Sequence, residues 1–424
     1  MSKKRPYFVR CHGNRIIFKA KVNPTGHRDF MSALVFCLKN KPSKILLDFE
    51  KVTHAYPNGV VPIITTVDRL RSEGLDIRVK LPDAKDVRRL FLSTNWAHLL
   101  CPETFDEENA VHDRHLLARR FSTPEQQNAV VNDFLDVVMR NMSVTRDVIS
   151  GLEWSINEIT DNVLNHAQSP TGGIVQVSTY IQNHSVSFAV GDGGMGILSS
   201  LKQGIPTLRT DIQAIGEAVK AGVTRHPLAG QGNGLAGTLR IASMSGGSFA
   251  MTSGRGHMMV YEAETNRLER HVNQNFLGTL VCADIKTDGT FSIAEALGFA
   301  GTAYETPVDL IEMNYENQDG QCFNLKLNEE TTGFGNRPSG RQLRTKSLNL
   351  LNADKSKPLQ IDWTGVPITS SSFADEFIGK LFIELGPITF SARVRNIGME
   401  ALIKALLDKA ISQRLTQAND ELSA

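Results

Sequence analysis

The six residues KILLDF (44–49) are apolar almost throughout, and a strand of that kind is stable only when both of its faces are covered. RIIFKAKV (15–22) precedes it as a second strand. An apolar helical run VVPIITTVDRLRSEG, the strand LDIRVKL (75–81) and a helix around DAKDVRRLFLSTN follow. Strand and helix in alternation predict a small α/β domain over residues 1–105. At roughly 100–200 residues per domain, the 424-residue chain has room for more than one such unit. Lys plus Arg total 46 and Asp plus Glu 45, a formal charge of +1, which argues against a chain whose overall charge serves to grip nucleic acid. No apolar run reaches the ~18 residues of a membrane span, and MSKKRPYFVR lacks the apolar core of a secretory signal. The five cysteines are scattered without a CxxC pair and read as reduced thiols of a cytoplasmic protein, with no disulfide framework or zinc site.

Residues 106–122 form a charged linker in which His112 and His115 lie three apart; with no third ligand nearby they read as part of a solvated helix. From Thr123, TPEQQNAVVNDFLDVVMRNM has a capping Thr, Pro in the first turn and apolar residues at helical spacing. A second long helix runs from about Thr145 to Ala167. IVQVSTYI and VSFAV follow as strands around the turn QNHS, and TLVCADIK (279–286) reads as a closing strand. Within the long helix, Leu152, Ile156, Ile159 and Val163 make an apolar stripe, while Glu158, Asn162 and Asn165 at i, i+4, i+7 share another face. One carboxylate and two carboxamides suit a hydrated Mg²⁺ with a nucleoside triphosphate, Glu158 being placed to orient or deprotonate a nucleophile. A solvated polar face is the other reading of the same pattern.

Directly after VSFAV comes VGDGGMGI (190–197). Gly191, Gly193 and Gly196 spell GxGxxG, with Asp211 near the spacing of a ribose-binding acid. A dinucleotide site needs that acid at the end of a strand, whereas TLRTDIQAIGEAVKAG is a helix start. The other parse is Asp192, Gly194 and Gly196: an acid at a strand end, then backbone that a ligand can approach closely. GQGNGLAGTL (230–239) opens a helix whose bare N-terminal amides are a ready phosphate site, and Gly278-Thr279 precedes the strand VCADIK.

In this order EITDNVLNHA, DGGMGI, GQGNGLAG and GT resemble the N box, the two glycine boxes and the closing motif of the Bergerat-fold ATP-binding domain of the GHKL superfamily, which includes gyrase, Hsp90-type chaperones, histidine kinases and MutL. The resemblance spans residues 123–288 and implies ATP and Mg²⁺ as ligands. It implies that Asn162 ligates Mg²⁺, that Asp192 accepts a hydrogen bond from the adenine amino group and that Gly194 and Gly196 give the base room. Gly230, Gly232 and Gly234 would cradle phosphates, Thr279 would support Asp192, and Glu158 matches the glutamate four residues before the metal ligand. The NHA ending, with Asn165, is closer to the anti-sigma serine kinases than to gyrase. Residues 197–229 would be the ATP lid, where Lys220 and Arg225 either reach the γ-phosphate or stay solvated.

The first unit resembles a STAS domain, but Asn58 stands where the phosphorylatable serine would be, which implies a docking module. Beyond a connecting segment, 289–335, residues 336–424 resemble a second STAS-like domain: strand PLQIDW, helix SSFADEFIGKLFIEL, strand ITFSARV, helix MEALIKALLDKAISQRL. Ser371 and Ser372 fall at the acceptor position; they read either as phosphoacceptors or as a helix cap, with Ser372 as the capping residue. The expected architecture is thus an α/β chain with a central ATP-binding domain between two STAS-like domains. Its expected function is γ-phosphate cleavage in intracellular signalling, as an ATPase or serine kinase, the alternative being a nucleotide-gated interaction switch with little turnover. Protein partners would bind through the STAS-like domains, and a homodimer stays open.

Overall fold

KILLDF lies inside a sheet, as its composition requires. The computed structural model describes residues 8–108, 117–220, 234–261, 263–289, 291–297, 310–331 and 333–423. His112, His115, Arg225, Gly230 and Gly232 fall outside them. The chain is mixed α/β and divides into two units, one from residues 1–134 and 151–302, the other from 135–150 and 303–424. No helix among the described residues is long and apolar enough to cross a membrane.

In the first unit, β1 (Val9–His12) and β2 (Arg15–Val22) pair antiparallel. After α1 (Pro24–Leu38), β3 (Lys44–Ala55) runs parallel to β2; after α2 (Pro57–Ser72), β4 (Asp76–Lys80) runs parallel to β3. The order β1-β2-β3-β4 gives β3 a neighbour on each side. Two helices, α3 (Lys85–Ser93) and α4 (Trp96–Leu100), complete this part. Phe18 stacks on Phe49 with centroids 4.2 Å apart, Phe49 meets Phe91 at 5.2 Å, and Phe91 meets Trp96 edge-on at 5.3 Å. Each ring pair adds about 0.5–1.5 kcal/mol beyond burial.

A second sheet follows. Its strands are β5 (Arg119–Phe121), β6 (Gly173–Tyr180), β7 (Ser185–Asp192), β8 (Ser248–Tyr261) and β9 (Ala263–Lys286), ordered β5-β6-β7-β9-β8 with every pairing antiparallel. Between β5 and β6 run α5 (Pro124–Asn141) and α6 (Arg146–Asn162), the latter continued by one π turn, Val163–Ala167. Between β7 and β8 lie α7 (Gly196–Leu201), α8 (Asp211–Ala218) and α9 (Gly234–Met244). Pro57 presets the first turn of α2, and the ten residues Gly59–Asp68 are all buried. A helix buried on every side belongs between layers. Here α2 packs on β6 and β7 while Val60, Ile63, Ile64 and Val67 join the aromatic core of the first sheet.

After α10 (Ile293–Ala296), which ends the first unit, the second contains α11 (Leu310–Tyr315), β10 (Phe323–Lys326), α12 (Leu327–Glu330), α13 (Arg337–Ala353) and β11 (Leu359–Asp362). It continues through α14 (Ser371–Ala374), a π turn Asp375–Gly379, α15 (Lys380–Leu385), α16 (Pro387–Arg393), β12 (Val394–Ile397) and α17 (Ala401–Ser423). The strands β10, β11 and β12 form a parallel sheet in that order. The expected strand ITFSARV is mostly wrong: 387–393 is helical and the strand starts at Val394. Gly386 at φ +75° breaks the chain and Pro387 restarts it as a helix. Arg393 then donates to the carbonyls of Leu351, Asp354 and Lys357 at 2.7–2.9 Å, and Ile388, which completes the apparent alternation, is 87% exposed.

Segment 135–150 is held to the second unit by polar contacts. Lys346, with no exposed surface, pairs with Asp136 and Glu330 and lies over the Tyr315 ring at 4.7 Å. Burial works against its ammonium, but Tyr315, Asp136 and Glu330 outweigh burial and hold its pKa above the ordinary lysine value. Asn349 donates to the carbonyls of Met139 and Met142, both at 2.8 Å, and accepts from the Val144 amide. Replacing Lys346 by Ala strands two carboxylates with Arg140 as the remaining cation; the expected loss is about 3–5 kcal/mol, read as faster hydrogen exchange across α13.

Candidate functional site

Strand β7 ends in Asp192, which is registered between Gly173 of β6 and Thr279 of β9. Its side chain is 3% exposed, and Oδ1 accepts the Gly194 amide at 2.8 Å. Burial pushes its pKa up to about 7, against the lowering effect of main-chain hydrogen bonds from Gly194 and Thr279. A carboxyl buried this deeply, its pKa set by desolvation, makes Asp192 a candidate functional group. Gly278 beside it has φ +108°, and a Cβ there would lie 2.0 Å from the Asp192 carbonyl, so only glycine fits.

Opposing this, α6 and α9 run in contact. A Cβ on Gly237 would lie 2.2 Å from the Trp154 ring, and one on Gly234 would lie 2.3 Å from Oε2 of Glu158. Gly151 in turn faces Ile241, its Cβ position 3.3 Å from the Ile241 side chain. Residues 151, 154 and 158 of α6 thus meet 241, 237 and 234 of α9, so the two helices run antiparallel with glycines at the contact. Glu158 is half-buried; burial, then the charge of Asp161, raises its pKa, which makes it a stronger base than a free glutamate. Asn162, also half-buried, ends the α-helical part of α6. The expected common face holds for Glu158 and Asn162. It does not extend as predicted to Asn165, because the π turn changes the helical phase, and Asn165 is exposed.

The loop after Asp192 is fastened from three directions. Gly194 sits against the carbonyl of Ala167, which a Cβ would approach to 2.0 Å, and Met195 N donates to that same carbonyl at 2.8 Å. Gly194 is therefore required by the end of the π turn, whatever else approaches it. Gly196 has φ +77°, and the next amide, Ile197, donates to Ser253 Oγ at 2.9 Å; Ser253 donates to the Gly278 carbonyl at 2.8 Å. From α2, Arg69 Nη1 donates to the carbonyls of Gly193 (3.0 Å) and Gly194 (3.3 Å). Neither Ser253 nor Arg69 was legible in the sequence: each is an ordinary polar residue on a strand or helix, more than 50 residues from the loop it holds.

The remaining predicted residues are placed as follows. Thr279 reaches Ser253 Oγ at 3.5 Å. Lys220 is paired with Glu217. Asp211 begins α8 and accepts the Arg255 amide at 2.9 Å, and β7 has only antiparallel neighbours, so the dinucleotide parse of GxGxxG fails. Asn58 lies half-buried in the first turn of α2. Ser371 and Ser372 belong to the second unit, and the expected cap is corrected: Ser370 caps α14, accepting the Phe373 amide at 3.1 Å, while Ser371 is exposed and Ser372 shares a hydrogen bond with Ser370. The flanking acids are neutralised, Asp375 by Arg414 and Glu376 by Arg344 and Lys380. No family model and no curated protein matches the chain.

Asp192 has a folded pKa of about 7 against about 3.9 for an unfolded aspartate. The folded state holds the extra proton between those values, so this group's contribution to stability is full below pH ~4 and is lost as pH rises to ~7. Asp192→Asn is expected to flatten that slope and to unfold at an equal or higher urea midpoint than the parent at pH 8. A lower midpoint would mean that the buried carboxylate is stabilising. Arg69→Ala is expected to speed amide exchange at residues 193–197 by about tenfold, the effect of losing a charged donor to two carbonyls.

Proposed function

We propose that residues 123–288 form a Bergerat-type ATP-binding domain between STAS-like parts at 1–105 and 336–424, and that the protein cleaves the γ-phosphate of ATP in cytoplasmic signalling. One observation carries this reading: four elements far apart in sequence meet pairwise, Glu158 with Gly234, Ala167 with Gly194, and Asp192 with Thr279. Their order along the chain is that of the N box, first glycine box, second glycine box and closing motif. An antiparallel sheet with α6 and α9 as a close helix pair also suits that domain.

Ionised Asp192 would accept the adenine amino hydrogen, its desolvation making that bond stronger than one in water. Glu158, with its raised pKa, would take the proton of the attacking water or serine hydroxyl at its carboxylate. Mg²⁺ takes few protein oxygens, and Asn162, half-buried one turn beyond Glu158, would be its ligand beside the phosphates. Mg²⁺ bound there would offset the charge of the phosphate oxygens. The missing side chain at Gly234 leaves room for the Glu158 carboxylate at the head of α9, and a helix N-terminus suits phosphate.

The test follows γ-labelled ATP with Mg²⁺ and the full chain, measuring free phosphate and protein-bound label together. Free phosphate makes the protein an ATPase; label on the protein that is lost in the Ser371→Ala/Ser372→Ala variant makes it a kinase acting on its own chain. Glu158→Gln is expected to lower either product at least 100-fold while ATP still binds. Bound ATP with neither product would favour the nucleotide-gated switch, and no ATP binding at all would sink the proposal.

A further inference from the structure

Two cysteines 26 positions apart in sequence meet at one carbonyl. Cys11 lies on the edge strand β1 and is half-buried; Cys37 lies in the last turn of α1 with no exposed surface. Both thiols donate to the oxygen of Gly13, Cys11 at 3.2 Å and Cys37 at 3.6 Å. Gly13 occupies the β1–β2 turn at φ +60°, so its carbonyl is turned toward the end of α1 by a backbone that glycine adopts readily. A carbonyl oxygen can accept from two donors, and two thiols that share one oxygen are neighbours across it.

We propose that Cys11 and Cys37 are a redox-modifiable pair that closes to a disulfide when the protein meets hydrogen peroxide. The half-buried Cys11 thiol is the one peroxide reaches: its sulfur attacks one peroxide oxygen, the O–O bond breaks, and Cys11 becomes a sulfenic acid as one water leaves. Cys37 sulfur then attacks the Cys11 sulfur, the S–O bond breaks and a second water leaves with the Cys37 proton. Two thiols lose two hydrogens and two electrons, and the peroxide is reduced to two waters. Burial first, then the neighbouring Cys11, push the Cys37 thiol up to about 11, so it stays protonated and shielded until its neighbour is oxidised.

The bond would staple the edge hairpin to the end of α1. That helix also packs on β9: His27 meets the Phe276 ring edge-on at 5.2 Å, and Ser32 accepts from Gln274 at 2.7 Å. The other cysteines have different surroundings. Cys282 is half-buried, with its thiol pushed up to about 12 by desolvation, Cys101 is buried beside Thr104 and Glu103, and Cys322 lies in the second unit.

The experiment treats the reduced full chain with hydrogen peroxide, alkylates free thiols under denaturing conditions and maps the peptides by mass. The expected product has lost two hydrogens, carries Cys11 and Cys37 on one linked peptide pair and alkylates at Cys101, Cys282 and Cys322. In Cys37→Ser, dimedone is expected to trap Cys11 as its sulfenic acid with no linked peptide; Cys11→Ser should keep Cys37 as a free thiol. Five alkylated cysteines in the treated parent, or a linkage through another cysteine, would overturn the proposal.

Discussion

The close approach of α2 to β7 is the constraint on which the first unit rests. Val61, Thr65 and Arg69 recur every four residues along one face of α2. A Cβ on Gly191 would meet Val61 at 3.0 Å and Thr65 at 3.3 Å, and one on Gly193 would meet the Thr65 carbonyl at 3.1 Å. The helix lies where it does because two side chains are missing beneath it. Asp68, one residue before Arg69, is 6% exposed and paired with Arg120 of β5, so α2 is fixed to the second sheet at two strands. Burial raises the Asp68 pKa even against Arg120 and Arg71, the sign of a charge placed deep in a packed layer.

This divides the glycines of VGDGGMGI by purpose. Gly191 and Gly193 admit α2 on one side. Gly194 admits the Ala167 carbonyl, and Gly196 turns the chain at positive φ toward Ser253. The loop that would face a nucleotide base is thus held before any ligand arrives, by Arg69, Ser253 and Ala167 at hydrogen-bond distance. Preorganisation of this kind lowers the entropy lost on binding. It also means that α2, packed on β6 and β7, contributes through Arg69 to the proposed site itself.

The glycines of GLAG act similarly on the other side of the sheet. Gly237 receives the Trp154 ring and Gly234 the Glu158 carboxylate, so these α6 side chains seat in space that any larger residue on α9 would fill. A polar residue half-buried at such a contact is raised in pKa by desolvation, and Glu158 follows that rule.

The sequence alone determined the alternation of strands and helices in residues 15–93, the interior position of β3, the long helix ending near Ala167, and the two strands around QNHS. All of these follow from local apolar periodicity and turn chemistry, which act within a few residues. It failed locally at ITFSARV, where Gly386 and Pro387 restart a helix through an apparently alternating run, and at Asn165, where a π turn shifts the phase. Glu158 and Asn162 stand out by their i, i+4 spacing on one helix, whereas Asp192, Gly234 and Thr279 were singled out only as parts of a motif set that the sequence resembles. Arg69, Ser253, the Cys11–Cys37 contact and the reasons for Gly191, Gly193 and Gly237 were not legible. Each joins segments 26 to 130 residues apart, and a contact between distant segments leaves no periodicity in the chain; only the packing of the helices on the sheets decides it.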